Sequence, residues 1–154
     1  IFSDFITLGE LTVPGLCIGT DVIVGFPGET DDLFEQTFSF LETSPIDYFH
    51  VFSYSERKMA RSKKFEAQVP KDVIANRSKR LRDLSKEKKI AFLNENINNV
   101  EKVLFEQKKH GRWIGNTDNY IKVGIKSDSE LKNVVSDIKL NSVVDDVVFG
   151  EMIS

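Results

Sequence analysis

Along residues 1–13 the apolar positions Phe2, Phe5, Ile6, Leu8 and Leu11 recur at near-helical spacing, and Pro14-Gly15 ends the run. Ile18, Val22, Ile23 and Val24 then crowd together without clean alternation. That pattern predicts a strand over residues 18–24 buried on both faces. A tight turn through Pro27-Gly28 leads to Thr30, the expected N-cap of an acidic amphipathic helix. Asp31 and Asp32 fall in its first turn, where carboxylates oppose the positive end of the helix dipole. Leu33, Phe34, Phe38 and Leu41 form its apolar stripe, and Ser44-Pro45 ends it. Asp47 to Tyr54, aromatic and β-branched, reads as a second strand. Strand, helix and strand follow one another closely enough to make a βαβ unit with a parallel pair.

Residues 55–69 carry Arg57, Lys58, Arg61, Lys63 and Lys64 with little apolar content and read as a basic loop. Pro70 suits a first helical turn, and a long helix is expected to about Ile97. Val73, Ile74, Leu81, Leu84 and Phe92 share one side. Arg77, Lys79, Arg80, Arg82, Lys86, Lys88 and Lys89 dress the rest. Asn98-Asn99 provides a left-handed stop. From Val100 the period changes to two. Strands are expected at Val100–Glu106, Asn119–Lys126, Val134–Leu140 and Asp146–Ile153, with a shorter one at Arg112–Ile114. Turns are signalled at Lys108–Gly111, Gly115–Asp118, Ser127–Ser129 and Asn141-Ser142. The fold class is therefore α/β followed by all-β. Residues 1–69 form the first part, 70–98 a linking helix and 99–154 a small OB-like β-barrel.

Composition adds three constraints. No apolar run reaches the ~18 residues a membrane helix needs, so no membrane partner is expected. A single cysteine, Cys17, excludes an internal disulfide, and a cytoplasmic location is expected. Charge is segregated: residues 1–54 hold nine acids and no Lys or Arg, residues 55–98 thirteen Lys or Arg against six acids, and residues 99–154 eight against nine. A basic middle of this kind is either a contact surface for a polyanion or a solvated helix face. The chain starts at Ile1 without an element boundary and reads as a piece of a longer protein.

The corner Gly25–Glu29 is either a structural turn or a place where a ligand meets the backbone. It is not a phosphate loop, because the Gly-Lys-Ser/Thr ending is missing. His50 has no second His or Cys at ligand spacing and reads as structural. Lys108, Lys109, His110 and Arg112 form a cationic hairpin tip. Trp113 and Tyr120 are candidate stacking surfaces for RNA, with the barrel core as the alternative for Trp113.

Thr20-Asp21-Val22-Ile23-Val24-Gly25-Phe26-Pro27-Gly28-Glu29-Thr30 resembles the late-strand motif of the radical SAM methylthiotransferases, whose pattern is Gly-x-Ile-x-Gly-x-x-x-Glu. Asp21 stands in the first place, and Ile23, Gly25 and Glu29 fill the others. His50-Val51-Phe52-Ser53-Tyr54-Ser55 is similar to that family's His-Val-Phe-x-Tyr-Ser. Beyond it Arg57 is kept, while Met59-Ala60 stand for the family's Gly-Thr. Gly115-Asn116-Thr117-Asp118-Asn119-Tyr120-Ile121-Lys122-Val123 resembles the RNA-binding TRAM domain. Within the family it looks most like the branch acting on threonylcarbamoyladenosine in tRNA.

The resemblance implies the last two βα units of a partial (βα)6 radical SAM barrel, followed by a TRAM barrel. It implies S-adenosyl-L-methionine near Asp21, Ile23, Gly25, Phe26, Phe52 and Tyr54. It implies RNA contacts by Arg57, Lys58, Arg61, Lys108, Lys109, Arg112, Tyr120 and Lys122, with the tRNA anticodon stem-loop as partner. The sulfur and electron donors are not identified by it. Two 4Fe–4S clusters belong to the full-length enzyme, and neither the three cysteines of the radical loop nor the three of the second cluster occur in this chain. Alone, the chain is expected to be inactive, with no catalytic or metal-ligating residue. The alternatives are a sister enzyme acting on isopentenyladenosine or a ribosomal protein, and a non-catalytic RNA-binding module.

Overall fold

The computed structural model describes residues 2–55 and 67–153. These gather into two units, one of described residues up to Pro14 and from Ile18 to Lys88, the other of Gly15–Cys17 and the residues from Lys89 onward. In the first, α1 (Phe2–Thr12) ends ahead of Pro14. Strand β1 (Gly19–Val24), helix α2 (Asp31–Thr43) and strand β2 (Tyr48–Ser53) follow. The two strands pair in parallel, with Val22 opposite Val51. The Asp47 carboxylate accepts from the Ile18 amide at 2.6 Å, and the Tyr54 amide donates to Val24 O at 2.8 Å. The ladder is thereby fastened at both ends.

α2 starts where a short polar side chain can stand in for a missing helical acceptor. Thr30 Oγ1 accepts from the Leu33 amide at 3.2 Å. Phe34 and Leu41 are buried with Val24, Ile46, Phe49, Leu81 and Leu84, and Phe38 packs against them. Leu33, expected in this stripe, is exposed. The inward arc follows Phe34, Phe38 and Leu41 at i, i+4 and i+7, which leaves Leu33 about a quarter-turn away.

The expectation that β1 is buried on both faces is overturned. Val22 and Val24 pack into the core, while Asp21 and Ile23 are exposed. Burial follows the strand period of two, because this core covers one face of the sheet. The crowding of apolar residues conceals an alternation.

Helix α3 (Lys71–Glu95) begins just after Pro70. Within the first unit its buried side includes Ser78 and Ser85 beside Leu81 and Leu84. Ser85 Oγ accepts from the Phe49 amide at 2.9 Å and donates to Phe49 O at 2.8 Å. Two main-chain groups of β2 are thus satisfied by one small hydroxyl, as buried backbone polar groups require.

In the second unit the chain leaves α3 through Asn98 in the left-handed conformation, φ 75°. Strands β3 (Val100–Lys109), β4 (Arg112–Asn116), β5 (Lys122–Ile125), β6 (Val135–Val144) and β7 (Val147–Met152) follow. They close into a barrel in the order β3-β4-β5-β7-β6, antiparallel except for β5 with β7. Closure removes the exposed edges an open sheet would present. The interior holds Val103, Phe105, Trp113, Ile121, Val123, Ile125, Ile138, Leu140 and Val148. The expected turn at Asn141-Ser142 is instead a register shift between Leu140 and Ser142 inside β6. Such a bulge bends a strand without ending it. β6 pairs with β3 and then runs on beside β7; the reversal comes at Asp145, φ 56°.

Candidate functional site

In the first unit the period of two sorts the expected cofactor residues. Asp21 and Ile23 share the uncovered sheet face with their register partners His50 and Phe52. Ile23 is 61% and Phe52 53% exposed. Just beyond the strand ends, Phe26 and Tyr54 meet edge to face, ring centroids 5.3 Å apart. The result is an apolar strip, Ile23 beside Phe52, bordered by the Asp21 carboxylate and the His50 ring, with an aromatic pair at one end. A flat, partly apolar ligand would find dispersion surface and a carboxylate acceptor there.

The corner after β1 is built for a sharp bend. The Glu29 amide donates to Phe26 O at 2.9 Å, closing a turn with Pro27 second and Gly28 third at φ 90°. That is the arrangement of a type II turn. Gly25 has φ 81°, and a side chain there would run into Ile74 of α3. Its amide donates to the Glu29 carboxylate. The space freed at Gly25 is therefore taken up by a helix side chain.

Arg77 is the residue the sequence reading missed. Counted among the solvated cations of α3, it is only 5% exposed. Its guanidinium donates to Glu29 O at 3.1 Å and to the Asp31 carboxylate at 2.6 Å, and it lies 3.3 Å from the Glu29 carboxylate. Arg80 grips Glu35 with both terminal nitrogens and covers the rings of Phe34 and Phe38 at 4.9 and 4.8 Å. That contact holds the Glu35 carboxyl below its ordinary range. Lys88 Nζ donates to the carbonyls of Glu42 and Ser44 at the end of α2. Three cations of the basic helix are thus spent on the acidic helix beside it. A cavity of about 410 Å³ adjoins this corner, lined by Thr30, Gln68, Val73 and Arg77 among others and by none of the expected cofactor residues.

The second unit holds the remaining candidates, at two places. β3 and β4 form a hairpin whose turn residues His110 and Gly111 both have positive φ, 48° and 76°. Lys109 stands opposite Arg112 beside the turn. Lys108 Nζ donates to Ser127 O at 3.3 Å and lies 5.6 Å from the centre of the Trp113 ring. Arg112 covers Phe149 at 4.6 Å. Trp113 itself is buried, its Nε1–H donating to Ser129 O at 3.0 Å, so it is core and not a stacking surface. Tyr120 and Lys122 lie elsewhere: Asn116 pairs with Lys122, whereas Trp113, next to the hairpin tip, pairs with Ile125. The two groups therefore sit at opposite ends of the β4–β5 ladder. Lys122 is 3.7 Å from Asp146. Arg57, Lys58 and Arg61 lie outside the described residues. Cys17 is half-buried with Lys89 Nζ 3.5 Å from its sulfur. Among the described residues no group of three or more His, Cys, Asp or Glu could hold a metal ion, and no helix is long and apolar enough to cross a membrane.

An α/β unit with an uncovered sheet face, followed by a closed five-stranded barrel carrying a cationic hairpin, is the class of chain these features define. The chain is 32% identical over 144 residues to the threonylcarbamoyladenosine tRNA methylthiotransferase MtaB of Bacillus subtilis, covering 90% of this chain and 32% of that protein. It is 32% identical over 154 residues to the tRNA-2-methylthio-N(6)-dimethylallyladenosine synthase of Bdellovibrio bacteriovorus, covering 99% of this chain and 34% of that protein. A second MtaB, from Aquifex aeolicus, is 33% identical over 118 residues, 77% of this chain and 28% of the relative. No protein-family model matches the chain. By these similarities the chain belongs to the tRNA methylthiotransferase family. It spans about a third of the length of the curated relatives it matches.

Proposed function

We propose that this chain is the C-terminal portion of a radical SAM tRNA methylthiotransferase, and that the whole enzyme adds a 2-methylthio group to threonylcarbamoyladenosine next to the anticodon. The chain would contribute one wall of an S-adenosylmethionine pocket, and separately a tRNA-binding TRAM barrel. The observation that carries the reading is the uncovered sheet face. Asp21, Ile23 and Phe52, three positions of the family motifs, share it, with Phe26 and Tyr54 at its end. Ile23 and Phe52 offer an adenine ring apolar cover, and S-adenosylmethionine would supply the methyl group and the radical source. The iron–sulfur clusters do not fit here. Such clusters are held by Cys thiolates, and this chain has one cysteine.

The threonylcarbamoyladenosine assignment rests on the run from Gly115 to Val123. Relatives named for either adenosine substrate are equally similar, at 32% identity. The sister reading, isopentenyladenosine as substrate, is therefore the one to test against. Deleting the gene that encodes this chain and digesting total tRNA for mass spectrometry separates them. Loss of 2-methylthio-threonylcarbamoyladenosine with retained 2-methylthio-isopentenyladenosine is the expected result. The converse loss gives the isopentenyladenosine sister, and loss of neither leaves the ribosomal-protein sister or a non-catalytic RNA-binding protein.

A further inference from the structure

Five non-glycine residues among those described have positive φ. Asn98, His110, Asn133 and Asp145 are of the residue types enriched in that conformation. The fifth is Tyr120, at φ 63°. It is also 78% exposed, so its ring neither fills the core nor suits the backbone it stands on.

The loop holds it there regardless. The Thr117 amide donates to Ile121 O at 3.0 Å, and the Tyr120 amide donates to Thr117 O at 3.2 Å. The buried Thr117 Oγ1 donates to Asn119 Oδ1 at 2.5 Å and accepts from the Ile121 amide at 2.9 Å. Asn119 Nδ2 donates to Gly15 O at 2.9 Å. Thr117 and Ile121, both buried, anchor the loop on either side of the exposed ring. Gly or Asn at position 120 would keep every one of these bonds with less backbone strain. A bulky aromatic that costs the fold something and covers nothing in it has its use outside the fold.

We infer that Tyr120 is a rigid stacking platform for one unpaired base of RNA, separate from the cations that meet the phosphates. This rests on the tRNA reading above and specifies how contact is divided. Around Tyr120 positive charge is not in surplus: Lys122 lies 3.7 Å from Asp146, and Asp118 is two residues away. Lys108 and Lys109 are on the hairpin at the other end of the β4–β5 ladder. The Tyr120 contact is therefore one of ring on base, which every base can make, and the hairpin contact is electrostatic.

The test compares the whole chain with Tyr120→Gly and Tyr120→Phe, using an RNA hairpin with an unpaired loop and a blunt duplex of the same stem. Tyr120→Gly is expected to weaken loop binding about tenfold while the salt dependence, duplex affinity and melting temperature hold or the last rises. Tyr120→Phe keeps loop binding within about twofold. Unchanged loop affinity in Tyr120→Gly, or equal losses on loop and duplex, overturns the platform. So does a loss of affinity that tracks a lower melting temperature. If the wild-type chain binds neither RNA, the tRNA reading falls and takes the platform with it.

Discussion

Arg77 reaches Glu29 twice, through a 3.1 Å hydrogen bond to its main-chain carbonyl and a 3.3 Å approach to its carboxylate. The same carboxylate accepts from the Gly25 amide four residues back. One buried guanidinium on α3 thus fixes a turn whose carboxylate in turn fixes the end of β1. The Glu of the family motif acts here on the backbone, and the cation that neutralises it comes from 48 residues further on.

Replacing Arg77 by Ala leaves Glu29 without its cation. We expect a loss of about 3 kcal/mol, the low end for a buried pair deprived of one member, since the Asp31 side chain is well exposed. Arg77→Lys recovers only part, because an ammonium cannot serve the carbonyl and both carboxylates in one plane. Urea titration followed by far-ultraviolet circular dichroism measures both. A Lys variant as stable as wild type would show that charge alone, without the fork, holds the corner.

Ile23 and Phe52 present the opposite case. Each is more than half exposed, so Ile23→Ser with Phe52→Ser is expected to change the stability of this chain by no more than about 1 kcal/mol. In the full-length enzyme the same pair lines the proposed S-adenosylmethionine pocket, and affinity for that cofactor is expected to fall at least about tenfold. Equilibrium dialysis against the labelled cofactor decides it. Unaltered affinity would remove both residues from the pocket.

The contrast between these two sites marks what the sequence discloses. Thr30 as N-cap, Pro27-Gly28 as a bend and Asn98 as a stop were readable because each acts on its own neighbours in the chain. Arg77 was not. It lies in a run of cations on a polar helix, and only packing against α2 picks it out from Lys79 or Arg82. The same packing answers the segregation of charge, since Arg77, Arg80 and Lys88 all bond to the acidic segment. Asn141-Ser142 misled for a related reason, since a bulge and a turn use the same polar residues and differ only in what the next strand does. The expected RNA residues Lys109, Arg112, Tyr120 and Lys122 are near in sequence, but barrel register sends them to two ends of a ladder.

Electrostatic contact by the hairpin has its own signature. Each phosphate contact to single-stranded RNA contributes about −0.7 to the slope of log affinity against log salt. Lys108→Ala with Lys109→Ala is therefore expected to flatten that slope by about 1.4 for an unpaired RNA strand. Arg112 is better left intact at first, because it packs over Phe149 at 4.6 Å, closer than the 5.6 Å of Lys108 to Trp113. Binding measured at several salt concentrations gives the slope directly. A parallel line, displaced but not flattened, would mean that these lysines act on the fold of the hairpin and not on phosphate.

Glu101 supplies a test by pH. Burial, and after it the charge of Asp118, pushes its carboxyl above the ordinary value. A carboxyl whose pKa is raised in the folded state binds its proton more tightly there than in the unfolded chain. Its contribution therefore favours folding at low pH and is lost as pH rises from the ordinary carboxylate range, about 4.3, through the raised value. Above that window the folded protein carries the cost of a partly desolvated charge beside another acid. Glu101→Gln removes this cost and cannot titrate. The variant is expected to match wild type near pH 4 and to be the more stable of the two at pH 7. Urea midpoints at the two pH values measure the difference. An advantage for Glu101→Gln of the same size at both would attribute it to packing in β3 instead of to ionisation.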